Sequence, residues 1–210
     1  EQRKVYLGKF RLGFKSDTDD ITGEVSEVPH AREISRAEIE SALPKFRGEI
    51  DQVPPQFSAV HIEGKRAYEF ARAGQIVNIA PKKVHIHRIE LLSYSRPELE
   101  LEIECGSGTY VRSIGRDLGE MLGSGAVMTE LVRTRIGPFD LSNAITLDEL
   151  DAANLPKVLL PARLAASNLP TYQVTEGECQ RLKQGKRIAV GEGVFSENPN
   201  QIAVLTPSED

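Results

Sequence analysis

The sequence predicts an α+β fold: a mixed, largely antiparallel sheet with flanking helices, and a small β-rich C-terminal domain. Three observations carry this. The stretch "ELELEIEC" alternates without a break, with Leu99, Leu101, Ile103 and Cys105 on one face and Glu98, Glu100, Glu102 and Glu104 on the other. A strand with one wet face belongs in an antiparallel sheet rather than in a parallel sheet covered on both sides. Next, Val111, Ile114, Leu118 and Met121/Leu122 repeat at helical spacing after a Gly-Ser-Gly turn. Last, Ile188–Val190 and Ile202–Leu205 are short apolar runs around a polar stretch, the pattern of a small β-rich unit.

The remaining elements follow in chain order. "KVYLGKFRLG" reads as a strand, with its alternation slipping at Gly8, which predicts a bulge there. "KSDTDDITGE" is a polar turn. Ser35 and Glu38 have capping-box spacing and introduce Ile39, Ala42, Leu43 and Phe46 at helical spacing, with Pro44 ending or bending that helix. "FSAVHIEGKR" predicts a short hairpin turning at Glu63-Gly64, and "KRAYEFARAG" a two-turn helix capped by Gly74. "KKVHIHRIELLSYS" is the strand that pairs with 98–105. "AVMTELVRTRIGPF" fits a short helix or a strand ending at Gly137-Pro138. Thr146 and Glu149 make another capping box, and residues 155–170 form a linker or packing arm.

Composition narrows the function classes. The chain has 210 residues, 40% of them hydrophobic, enough for one packed domain and a small appendage. No apolar run is long enough to cross a bilayer, and no secretion signal opens the chain. Cys105 and Cys179 match neither a metal spacing nor a disulfide framework, which points to a reducing cytoplasm. The net charge of −5 argues mildly against wholesale polyanion binding. Clustering matters more than net charge, and residues 1–15 set Arg3, Lys4, Lys9, Arg11 and Lys15 against a single acid, Glu1.

Several motifs bear on chemistry. "CGSGTYVRSIGRDLGEMLGSG" places glycines at 106 and 108 before a helix but lacks the ending of a phosphate-binding loop. Arg112 and Arg116 lie one turn apart on that helix. They are either a solvated pair balanced by Asp117 and Glu120, or a fork that binds a carboxylate or phosphate. His85 and His87 share a strand face without a third ligand nearby, so exposed strand histidines outweigh a zinc site. "SDTDD" lacks a calcium loop's length and closing Glu, and reads as a strand-ending turn. Ser58 lies near His61 without a nucleophile elbow.

Taken together, these blocks resemble the bacterial tRNA pseudouridine synthase B family. "KVYLGKFRLGFKSDTDDITGEV" is similar to its second motif, "FRGEIDQVPPQFSAVHIEGKRAYEFARAG" to its RNA-contacting insertion, and "CGSGTYVRSIGRDLGEMLGSGAVMTELVRTRIGPF" to its third motif, with "LDEL" following. The resemblance is dense from about residue 3 to residue 150. It implies isomerisation of the T-loop uridine of tRNA (position 55) to pseudouridine, with no metal or organic cofactor. It also implies an incomplete pseudouridine synthase domain over 1–165, an RNA-binding insertion over about 30–80, and a truncated PUA-like RNA-binding domain over 166–210.

The resemblance also assigns residues. Tyr6 matches the tyrosine that stacks on the target base, Arg112 the arginine that pairs with the catalytic aspartate, and Leu131 the leucine packed against the flipped base. A base held in a folded loop must be turned out onto an aromatic or apolar wall, and glycosidic cleavage needs an ionised, immobilised carboxylate. The basic run Arg3, Lys4, Lys9, Arg11 and Lys15, with Lys65, Arg66 and Arg72, is expected to contact phosphates. Phe57, His61, Tyr110, Arg133 and Arg135 complete the expected RNA-contacting set. His61 stands where the family has lysine, and Phe57 where it has tyrosine.

One departure is larger. The family's nucleophile lies in a Gly-x-Leu-Asp motif, and the only Leu-Asp pairs here, Leu147-Asp148 and Leu150-Asp151, have the wrong context. The chain also opens Glu1-Gln2-Arg3 without a methionine. The expectation is therefore a chain lacking its N-terminal third, inactive alone, cytoplasmic and monomeric, whose partner is the T-stem-loop of tRNA. The alternatives are a non-catalytic RNA-binding or tRNA-chaperone module that has lost the nucleophile, and a protein-interaction domain without an RNA role.

Overall fold

A computed structural model describes residues 2–191, 195 and 199–206. Its strands and helices are β1 (Lys4–Leu12), β2 (Phe14–Ser16), β3 (Val25–Glu27), α1 (Arg36–Ala42), β4 (Gly48–Gln52), β5 (His61–Ile62), β6 (Lys65–Arg66) and α2 (Ala67–Arg72). These are followed by β7 (Lys82–Ser95), β8 (Glu98–Cys105), α3 (Val111–Met121), β9 (Ala126–Ile136), β10 (Phe139–Asp140), α4 (Leu155–Val158), β11 (Thr171–Gln173), α5 (Glu176–Lys183) and β12 (Ala203–Leu205). Two compact units result, Glu1–Ser142 and Asn143–Asp210.

The first unit is built on a six-stranded sheet of order β10-β9-β1-β8-β7-β4, every neighbouring pair antiparallel. The alternation in β8 works as read: Leu99, Leu101, Ile103 and Cys105 are all buried. They face Phe10 and Leu12 of β1, Ile86 and Ile89 of β7, and the apolar stripe Val111, Ile114, Leu118 and Leu122 at α3. α1 adds Ile39 and Ala42 to the same core, so both helices cover one face, while the glutamates of β8 lie on the other. The Ser35–Glu38 capping box opens α1, and Pro44 lies in a 3-10 turn, Leu43–Phe46, that closes it. Glu63 (φ 49°) and Gly64 (φ 84°) turn the β5–β6 hairpin; two successive positive φ values suit the twist of paired strands.

Two expectations change. β1 and β8 run in unbroken register through Gly8; the bulges lie in β9 instead, at Thr129 and Thr134. Gly8 answers a packing need: a side chain there would meet Phe10 Cε2 at 2.9 Å. In the second unit Ile188–Val190 forms no strand, and β12 pairs in parallel with β11, Thr171–Gln173. Val190 keeps 36% of its surface exposed, so the run has little burial to draw it into a sheet and its propensity alone does not make a strand.

Candidate active site

The site begins with α3 crossing the inner face of the sheet. Gly115 lies flat on the Phe10 ring and Gly119 on the Ala126 backbone; a β-carbon at either would overlap these neighbours. Two glycines in a helix cost about 1 kcal/mol each in propensity, and here they allow backbone to approach sheet. The first turn of α3 rests near Gly8, where an added β-carbon would come 3.5 Å from Val111 Cγ1. Its entry is fixed by buried Gln52 at the end of β4. The Gln52 side-chain amide donates to the Tyr110 carbonyl at 3.1 Å, and its oxygen accepts from the Tyr110 N–H at 2.8 Å.

The two bulges in β9 set which side chains share this face. A bulge shifts side-chain phase by one residue. With one on each side of Leu131, that residue lies opposite Gly8, and Arg133 lies opposite Tyr6, which itself faces Ile103 across β8. Tyr6, Leu131 and Arg133 therefore share the face that carries α3. Tyr6 packs its ring against the core, while Leu131 keeps 42% of its surface exposed. An exposed leucine beside a half-buried tyrosine is an apolar wall open on one side.

Residues 16–24, read above as a turn, are the part of the site that the sequence left unassigned. The turn is knotted by its own side chains. Asp17 Oδ1 accepts from Glu24 N–H at 2.8 Å, and Asp20 Oδ1 accepts from the Thr18 hydroxyl at 2.8 Å, the Thr22 hydroxyl and Thr22 N–H at 3.0 Å. It docks beside β9 through Met128 N–H to Asp19 C=O at 3.1 Å and Ile21 N–H to Met128 C=O at 3.0 Å. Adjacent side chains on extended backbone point to opposite sides. Asp19 instead adopts φ 64°, and that left-handed turn lets both carboxylates reach α3.

The two aspartates meet the two arginines. Arg112 donates to Asp20 Oδ2 at 2.9 Å and to the Phe57 carbonyl at 2.6 Å. Arg116 donates to Asp19 Oδ2 at 2.8 Å, to the Val53 carbonyl at 2.8 Å and to Asp117 at 2.8 Å. The hydroxyl of buried Ser113 adds a bond to Asp19 Oδ2 at 3.1 Å. Neither arginine is the solvated surface pair: their side chains are 20% and 22% exposed. Burial alone would raise the Asp20 pKa, but the bonds from Thr22, Thr18 and Arg112 outweigh it and hold the carboxyl below the usual range. At Asp19 burial wins over Arg116 and Ser113, and the pKa is raised; at Asp117 burial likewise prevails over Arg116.

Asp20 is thus the acid that Arg112 holds among the described residues, but it has the character of an anchor. Its Oδ1 accepts three donors and its Oδ2 the guanidinium. A carboxylate in that state has little electron density left to attack carbon.

The expected RNA-contacting residues divide between faces. Lys9 pairs with Glu130, Arg11 with Glu98 at 2.6 Å, and Arg3 and Arg135 with Glu104 at 3.6 and 3.8 Å, all on the wet face opposite Tyr6. Lys4 donates to Ser107 Oγ at 2.6 Å at the glycine turn, and Lys15 lies exposed on β2. Arg133 stands across from Tyr6 with no ion pair among the described residues. On the insertion, His61 begins β5, Arg66 donates to the Ala59 carbonyl at 2.6 Å, Lys65 lies 5.9 Å from the Phe70 ring centre and Arg72 5.1 Å from that of Tyr68. The Phe57 and Tyr110 backbones hold Arg112 and Gln52 as described.

The His85 and His87 rings lie with centroids 4.4 Å apart and planes tilted by 43°. Among the described residues no group of three or more His, Cys, Asp or Glu is placed to hold a metal, and no helix is long and apolar enough to cross a membrane.

This geometry can be set beside known proteins. Residues 1–111 match the TruB family pseudouridylate synthase N-terminal domain, and residues 112–165 the tRNA pseudouridylate synthase B C-terminal domain. The chain belongs to the TruB family. A TruB relative from Gloeothece citriformis, named tRNA pseudouridine synthase B, is 38% identical over 100% of this chain and 70% of its own length. One of the same name from Dehalococcoides mccartyi is 39% identical over 99% of this chain and 73% of its own. Among solved structures, a Cbf5-Nop10-Gar1 complex matches with TM-score 0.64 and 24% identity, covering 87% of this chain and 49% of that one. An H/ACA RNP bound to a substrate RNA containing 2'-deoxyuridine matches with TM-score 0.66 and 20% identity, covering 98% and 56%. The TruB chain described here thus spans about half the length of those solved chains, and at these identities the likeness shows the α+β fold alone.

Proposed function

We propose that the chain is the arginine-bearing and RNA-facing part of a tRNA pseudouridine synthase, acting on the uridine at position 55 of the T-loop. The observation that carries this is Arg112. Its guanidinium is held on two sides, by Asp20 and the Phe57 carbonyl, at the end of α3 that lies over the inner residues of β1.

In this reading the target uridine turns out of the loop and stacks on Tyr6, with Leu131 closing the apolar side. Arg112 keeps the nucleophilic carboxylate ionised and still. That carboxylate is supplied from outside the 210 residues, since no Gly-x-Leu-Asp motif occurs among them. The bond from N1 to the sugar breaks, uracil rotates, a C–C bond forms from the sugar to carbon 5, and the proton that carbon 5 gives up is matched by one taken up at N1, so the nucleoside is isomerised without net gain or loss. We assign the Tyr6 hydroxyl a part in removing the carbon 5 proton; what supports this is that Tyr6 shares the face of β1 that carries α3. Neither step consumes a redox equivalent or calls for a cofactor. Arg133 and the insertion cations Lys65, Arg66 and Arg72 contact phosphates. Arg3, Lys9, Arg11 and Arg135 contribute to the surrounding field from the opposite face. The protein acts as a cytoplasmic monomer.

RNA binding is tested by measuring Kd for a T-stem-loop RNA across a salt series. Affinity that falls steeply and linearly with log salt, by counterion release, is the expected result. Affinity independent of salt would favour a protein-interaction domain.

A further inference from the structure

Arg112 and Arg116 do the same thing one turn apart. Each bridges one carboxylate of the 19–20 turn to one backbone carbonyl of the 53–57 segment: Asp20 to Phe57 through Arg112, Asp19 to Val53 through Arg116. The two bridges form a ladder, and both partners of Arg112 belong to segments that Arg116 also holds. Nothing else described ties Asp19 and the Val53 carbonyl to a common group. The Arg116 rung is also the more enclosed at its acid end, where Asp19 is 8% exposed and Ser113 is fully buried.

The geometry points to Arg116, with Asp19, as a positioning pair: it acts through Arg112 by fixing both segments on which the Arg112 guanidinium rests. This rests on the synthase reading above. Arg116 is placed to touch neither base nor sugar, because its fork is already directed at Asp19, Asp117 and the Val53 carbonyl. Without it the 53–57 segment keeps only the Arg112–Phe57 bond to α3 of the two described, and the turn loses the charge that stabilises the ionised form of buried Asp19. Arg112 then keeps its hydrogen bonds but not its location. An error of about 1 Å in a catalytic group costs about 10²-fold in rate.

The test uses the protein expressed from its whole gene, as wild type, Arg116→Gln, Arg116→Lys and Asp19→Asn. Single-turnover pseudouridine formation on saturating tRNA gives a rate constant and an amplitude, and a separate binding titration gives Kd. The expected result for Arg116→Gln and Asp19→Asn is a rate constant lower by about 10–10²-fold with amplitude and Kd nearly unchanged. Arg116→Lys, which keeps the charge but cannot span both partners, falls between these and wild type. A variant carrying both Arg116→Gln and Asp19→Asn should be no slower than the worse single one, as expected for partners in one interaction. An unchanged rate constant, a loss confined to amplitude (fewer folded molecules at full speed), or Kd rising in step with the rate loss would each overturn the proposal. Should Arg116→Gln fail to fold, Asp19→Asn decides alone, because it keeps the side-chain shape. Wild type that makes no pseudouridine would sink the synthase reading itself, a result distinct from these.

Discussion

Arg112 donates to Asp20 Oδ2 at 2.9 Å across 92 residues of sequence. Both are largely buried, so each is a committed partner rather than a surface charge. Replacing Arg112 by Ala in the full-length protein is expected to lower turnover by at least about 10²-fold, with Kd for tRNA rising by less than about tenfold. Parallel single-turnover and binding measurements check this. Equal losses would make Arg112 only a phosphate contact.

The Asp20 carboxyl also dictates a pH dependence of stability. Its pKa is below the usual aspartate range when folded, so it contributes stability above the unfolded-state pKa, and that contribution is lost as pH falls through the folded value. The stability difference between wild type and Asp20→Asn, measured by urea unfolding, should be largest near neutral pH and shrink in the acid range. Asp19 has the opposite sign. Its raised pKa means its contribution is fully present below the unfolded value and is lost as pH rises through the folded one. A gap for Asp20→Asn that widens toward acid would contradict the assignment.

Tyr6→Phe keeps the ring and removes the hydroxyl. Stacking, and hence Kd, should hold while the rate constant falls in part; Tyr6→Ala should lose more. Unchanged turnover in Tyr6→Phe would remove the hydroxyl from the mechanism.

The contact between Gly115 and the Phe10 ring predicts a packing effect. Gly115→Ala should destabilise by about 1–3 kcal/mol through overpacking, despite the better helix propensity of Ala. Gly177→Ala, in α5 with open space around it, should instead be neutral or stabilising by up to about 1 kcal/mol. The denaturant midpoints decide, and a stabilised Gly115→Ala would mean that α3 does not lie as close to β1 as described.

These residues also mark what the sequence discloses and what it hides. The β8 alternation, the α3 stripe, the Ser35–Glu38 box and the hairpin at Glu63-Gly64 are local patterns, and each emerged as read. Arg112 was legible through the motif around it. Asp19 and Asp20 were not, because Ser16, Thr18 and Thr22 make the same stretch a self-sufficient turn, and turn chemistry accounts for every residue in it. No local signal singled them out: Asp117 and Glu120 on α3 itself suffice to balance Arg112 and Arg116, so the sequence makes no demand for acids from the 16–24 turn. The displaced bulges escaped for a related reason. Gly8 weakens the alternation of β1, while Thr129 and Thr134 look ordinary in β9 until the strands are paired.

The most direct test is chemical. Full-length protein is incubated with a tRNA transcript, the RNA is digested, and the nucleoside at position 55 is identified by chromatography. The account predicts pseudouridine there with wild type and uridine with Arg112→Ala. RNA that is bound with the expected salt dependence yet keeps uridine at that position with wild type would contradict it, leaving a tRNA-binding module without the isomerase.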